Sequence, residues 1–168
     1  TYFSLIRTLS ADGIIFPFLI TDDSLDALDS VANLPPNSLH RWAGLASSGA
    51  ATKQAMAPTI NIPKRYEQLA ARVRVYRGKP PQTPEETLAF LEHFDALRQG
   101  SQLSDGLIVL GAIDEAFNET QVTRIEKGTQ LVASIRGEHF AQQGLKGTEI
   151  NTAMSAERLR QLNTLLDN

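Results

Sequence analysis

Apolar positions recur at helical spacing along nearly the whole chain. In "YFSLIRTLS", Phe3, Ile6 and Leu9 mark one face of a helix, which "ADG" stops. "IIFPFL" is a short apolar run whose Pro17 argues against a central strand. "TDDSLDALDSV" opens with Asp22 and Asp23, residues suited to cap a helix and to face its positive end. Pro35 and Pro36 then precede a helix running toward Gly49, and "GAATKQAMAP" predicts another short one ended by Pro58. "NIPKRYEQLAARVRVYRG" is a clear helix with Pro63 in its first turn and Gly78 at its end. Tyr66, Leu69, Ala70, Val73 and Tyr76 share its apolar face.

After "KPPQ", which reads as a linker, Thr83, Pro84 and Glu86 spell a capping box at the start of "TPEETLAFLEHFDALRQG". Leu88, Phe90, Leu91, Phe94 and Leu97 supply its buried side. "LSDGLIVLGAIDEAF" is apolar enough for a buried strand, but the pattern continues to Phe117 and favours a buried helix. "TRIEKGTQLVASI" is helical if Gly128 is tolerated, "EHFAQQ" is a short helix ended by Gly144, and a last helix spans about residues 148–166. There is no internal repeat, and no strand is expected. The expected fold is all-α, in two parts: residues 1–79 and residues 80–168.

Charge adds a local asymmetry. The net charge is −3, which excludes a globally basic nucleic-acid binder. Yet from Lys64 to Lys79 there are six basic residues and one acidic, while Thr83 to Glu126 holds nine acidic residues against Arg98 and Arg124. Such asymmetry can orient a polyanion, or simply solvate two faces. On the basic helix Arg65 and Arg72 share a flank, Lys64 lies opposite the core, and Arg74 lies on the other flank. Arg77 complements the helix dipole.

Catalytic chemistry is hard to find. His40, His93 and His139 are scattered, with no HExxH or HxH spacing, and the chain has no cysteine. No GxSxG or Walker-type phosphate loop is present. Asp22/Asp23 and Glu85/Glu86 read as helix-start acids, and Asp114 and Glu115 point about 100° apart on a helix. No apolar run approaches transmembrane length, and the start lacks a signal-peptide pattern; a cytoplasmic protein is expected. Thr1 leads straight into an amphipathic pattern, which suggests a piece of a longer chain.

Five stretches, in order, resemble the C-terminal half of the bacterial class II tRNA nucleotidyltransferases, the CCA-adding enzymes and their poly(A) polymerase relatives. They are "YFSLIRTLSADGIIFPFL", "SLHRWAGLASSG", "IPKRYEQLAARVRVY", "LAFLEHFDALRQGSQLSDGLIVLGAID" and "GLKGTEINTAMSAERLRQL". The last is similar to the family's tail pattern GFxGxxIxxxLxxxRxxA. The resemblance implies helical body and tail domains that hold the tRNA acceptor and TΨC arms. It also implies an N-terminal head and neck of the same polypeptide, where magnesium and CTP or ATP would bind; their GG, DxD and EDxxR motifs do not occur here. Some members carry a metal-binding HD pair in the body helix. Ser47 and Ser48 stand at those positions, so neither metal nor phosphohydrolase activity is expected.

The G-L-K-G turn leaves two readings open. It is a tight interhelical turn with an exposed lysine, or a phosphate grip made by Lys146, Gly147 and the helix start. The resemblance favours the grip, and it matches Arg158 to the family's tail arginine, which otherwise pairs with helix acids. The expected RNA-binding set is therefore Lys64, Arg65, Arg72, Arg74, Lys146, Gly147 and Arg158, with tRNA as the partner. A poly(A) polymerase fragment and a stand-alone helical interaction module are the alternatives.

Overall fold

The computed structural model describes residues 5, 8, 9, 21–48, 61–98 and 100–166, the side chains at 100, 101 and 166 excepted. Within them every regular element is helical, and no strand occurs. Of the first expected helix, Leu9 donates its N–H to the Leu5 carbonyl at 3.0 Å. Phe3, Ile6, the "IIFPFL" run and "GAATKQAMAP" lie outside the described residues.

The chain forms two compact units, residues 1–79 with 104–118, and residues 80–103 with 119–168. The sequence placed 104–118 with the C-terminal part. The reason for the difference is chemical. Asp105 is bound by the His40 and Arg65 side chains, and Asp114 accepts from the Gly78 main-chain N–H, so groups of the first unit claim this segment.

In the first unit, α1 (Asp22–Ala32) starts at a capping box of Thr21 and Ser24. Asp22 and Asp23 are therefore first-turn acids beside the cap, not the cap itself. Asn37 caps α2 (Ser38–Ser47), accepting from the N–H groups of Leu39 and His40. α2 packs against α1 and against α3 (Lys64–Tyr76). The α1–α2 approach depends on Gly44, where a Cβ would stand 2.9 Å from Val31 Cγ2 and 3.2 Å from the Ala27 carbonyl oxygen. Ala27, Val31, Ala43, Leu45, Leu69 and Val73 are buried.

In the second unit the expected capping box is present: Thr83 Oγ1 accepts from the Glu86 N–H, and Glu86 accepts from those of Gln82 and Thr83. The helix it opens, α4 (Pro84–His93), is shorter than the periodicity predicts. Asp95 adopts φ 52°, and the N–H groups of Asp95 and Ala96 close on the carbonyls of Glu92 and Leu91. That is a Schellman stop with aspartate in the usual glycine position. The apolar segment forms a helix, α5 (Gly100–Ile113), whose residues from 104 onward belong to the first unit; it ends before Phe117 because Asp114 caps a 3₁₀ turn, Glu115–Phe117. The "KPPQ" stretch is anchored, since the Pro81 carbonyl accepts from Gln121 and Arg124.

Gly128 sits inside α6 (Glu119–Ala133), buried, where a Cβ would lie 3.1 Å from Leu162 Cδ2. A short α7 (Gly137–Gln142) and the long α8 (Thr148–Leu166) complete the unit, α8 packing on α4, α6 and α7. Phe90, Leu91, Phe94, Ile125, Val132 and Leu162 are almost fully buried.

Candidate nucleic-acid interface

The G-L-K-G turn is two motifs joined. Gly144, at φ 90°, closes α7: its N–H donates to the Ala141 carbonyl and that of Leu145 to the Phe140 carbonyl. This pairing is a Schellman motif, and it accounts for the first glycine structurally. Gly147, at φ 54°, sets the entry to α8. Between them Lys146 is exposed, and its ammonium meets no partner among the described residues. Its own N–H donates to Glu149 Oε2 at 3.1 Å, and the Glu149 N–H donates to the Lys146 carbonyl at 3.1 Å. An internal carboxylate thus covers part of the helix start that a phosphate would use.

The basic helix α3 divides its cations unequally. Lys64 is exposed in the first turn and makes no ion pair among the described residues. Arg65 is exposed but donates to Asp105 Oδ2 at 2.9 Å. Arg72 is half-buried and has a partner of its own. Arg74 turns inward and donates to the Ala46 carbonyl, with its Nε buried and unpaired among the described residues. Burial pulls the Arg74 guanidinium below its ordinary pKa. Arg158, on α8, is also half-buried; it reaches the Ile135 carbonyl at 3.5 Å, and its Nε is likewise buried without a partner among the described residues. Arg74 and Arg158 are thus spent largely on backbone carbonyls, whereas Lys64 and Lys146 stay open to solvent.

Arg77 also does more than face the helix dipole. It pairs with Asp23 through both carboxylate oxygens, at 2.6 and 2.8 Å, and donates to Ser48 Oγ. Ser48 is buried, and the buried Ser47 hydroxyl donates to the Gly44 carbonyl at 3.0 Å. Both hydroxyls are therefore tied into helix packing. No group of three or more potential metal ligands occurs among the described residues.

Two constellations were not legible in the sequence. In the first unit, buried His40 places Nε2 2.7 Å from Asp105 Oδ1. A carboxylate only accepts, so Nε2 carries a proton, and the amide nitrogen of Asn37, 3.3 Å away, is a contact without a hydrogen bond. His40, Asp105 and Arg65 together pin α2, α3 and α5. The only hint was one acid inside the apolar run "LSDGLIVLG".

In the second unit, Arg136, His139, Phe140, Gln143, Glu157 and Gln161 wall a cavity of about 500 Å³. Glu157 is chelated by Arg160 at 2.6 and 2.8 Å and accepts from Gln161 at 2.9 Å. The Arg160 and Gln161 hydrogen bonds hold its carboxyl down at about 2. Gln143 Nε2 lies 3.0 Å from His139 Nε2 and donates to it, which leaves the ring proton on Nδ1. No family model, curated protein or solved structure matches the chain. No helix among the described residues is long and apolar enough to cross a membrane.

Proposed function

We propose that this chain binds the sugar–phosphate backbone of a folded RNA, as the tRNA-binding C-terminal portion of a CCA-adding nucleotidyltransferase, with the nucleotide-joining chemistry carried by a head and neck outside these residues. The observation that carries this proposal is the G-L-K-G turn closing the ordered series of family-like stretches. It holds an exposed Lys146, unpaired among the described residues, between two left-handed glycines and two positions before a 19-residue helix. Lys64 supports it from the basic helix, where it is exposed in the first turn.

The chemistry follows from those positions. A lysine is a flexible point charge suited to a phosphate, and the neighbouring helix start adds partial positive charge. Contacts of this kind read the path of a backbone and not its bases, so a folded tRNA is preferred to an unstructured RNA of equal length. Within the same family the product, CCA, CC, A or poly(A), belongs to the head and neck.

A second proposal, a helical interaction module without an RNA role, draws on Arg65, Arg74 and Arg158, whose guanidiniums already have internal partners. Binding of the 168-residue chain to tRNA and to an unstructured RNA, measured at several salt concentrations, separates the two. Salt-sensitive binding with a preference for tRNA supports the first. Equal, negligible binding to both RNAs at low salt supports the module. Incorporation of CTP or ATP by the chain alone contradicts the assignment of chemistry to a separate head.

A further inference from the structure

We propose that the cavity of the second unit is a binding site for a single unstacked nucleotide, its base against Phe140 and its phosphate on Arg136; the choice of this ligand class rests on the RNA-binding proposal above. The walls supply each part such a ligand needs. Phe140 offers an aromatic surface, and His139 stands edge-on to it, with ring centroids 5.6 Å apart at 77°. Stacking on an aromatic side chain is how proteins hold bases that have left a helix.

Hydrogen-bond acceptors flank the ring. Gln143 donates one amide N–H to His139 and Gln161 one to Glu157, and the carbonyl oxygen of each can accept from the amino or imino groups of a base. Arg136 is exposed at the start of α7 and makes no side-chain cap there. Its guanidinium matches a phosphate in shape and charge. Glu157 is the one acid in the wall, and its chelation by Arg160 offsets the repulsion it would exert on that phosphate. An apolar ligand would use none of these polar groups, and a neutral sugar would make no use of the Arg136 charge.

The test is an amide NMR titration of the intact 168-residue chain with AMP, GMP, CMP, UMP, the matching nucleosides, inorganic phosphate and an unstructured oligonucleotide. The expected result is a saturable shift of amides within 134–143 and 157–161 by at least one nucleotide, weaker with its nucleoside and absent with phosphate alone. Arg136→Gln should reduce the nucleotide to the affinity of the nucleoside. Phe140→Leu should weaken both by roughly tenfold. If Phe140→Leu does not fold, Gln143→Ala, at an exposed position, should still lower the affinity.

The same shifts from the oligonucleotide identify RNA as the source, and shifts from the mononucleotide alone identify a free nucleotide; either supports the site. Unmoved amides with every nucleotide, nucleoside and oligonucleotide overturn it, as do equal shifts with inorganic phosphate. Salt-sensitive tRNA binding that persists while these amides stay unmoved overturns the cavity alone. Nucleotide binding here without tRNA binding overturns the RNA proposal alone.

Discussion

Glu149 reaches back one turn to accept the main-chain N–H of Lys146 at 3.1 Å, so the helix start behind the G-L-K-G turn is covered by its own acid. The acid stabilises the helix end and also sits where an RNA phosphate would approach Lys146. Glu149→Gln keeps an acceptor but removes the charge. It should tighten RNA binding at low salt and lower stability by about 0.5 kcal/mol, the usual worth of an acid at an exposed helix start. Paired binding and thermal-melting measurements check both signs. Weaker RNA binding by the folded variant would count against a phosphate seat at this turn.

Gly147 tests backbone geometry separately. A Cβ there meets nothing within 4 Å, so any penalty arises from φ 54° and not from crowding. Asn tolerates this conformation and valine does not. Gly147→Val should cost about 1–2 kcal/mol. Gly147→Asn should cost clearly less, and equal losses from the two in denaturant titrations would contradict this.

The opposite situation holds at Gly44, whose backbone is ordinary but whose space is taken by Val31 and the Ala27 carbonyl. Gly44→Ala should destabilise the protein by about 1–3 kcal/mol through overpacking, even though alanine is the better helix former. A stabilised variant in urea titration would mean that α1 and α2 do not pack this closely.

Glu157 gives a pH-dependent expectation. Its carboxyl sits at about 2 in the fold, below the unfolded value near 4.5, because Arg160 and Gln161 bind the charged form. A depressed acid contributes stability above the unfolded value, and that contribution is lost as pH falls toward 2. Glu157→Gln should therefore be less stable than the parent at pH 7. The gap should close between about pH 4.5 and pH 2, and it should be small because the pair is exposed. Melting curves of both proteins across that range decide it; a gap independent of pH would remove the ion pair as its cause.

Helix positions were legible in the sequence because apolar spacing and capping residues are local signals. The Thr83–Glu86 box, the Gly78 and Gly144 stops and the start of α8 at Thr148 all agree with it. Other features depend on neighbours distant in the chain. Gly128 is accommodated because it faces Leu162, and Asp105 matters because His40 lies 65 positions away. Asp95 ended α4 early because it takes a backbone conformation more usual for glycine, a choice that periodicity cannot show. In the candidate interface, exposure at Lys64 and Lys146 could be inferred from the pattern. The inward turn of Arg74 and Arg158 could not, since it depends on where the Ala46 and Ile135 carbonyls lie in three dimensions.

The salt dependence of tRNA binding by the parent chain, Lys64→Ala, Lys146→Ala and Arg74→Lys tests the RNA-binding proposal most directly. Each phosphate neutralised contributes roughly −0.7 to −0.9 to the slope of log K against log salt. Lys64→Ala and Lys146→Ala should each make the slope shallower by about that amount and weaken binding at low salt. Arg74→Lys should leave the slope unchanged, because that side chain faces the Ala46 carbonyl. Circular dichroism confirms that each variant is folded. Unchanged affinity and slope in folded Lys64→Ala and Lys146→Ala would contradict the account and reduce G-L-K-G to a turn between two helices.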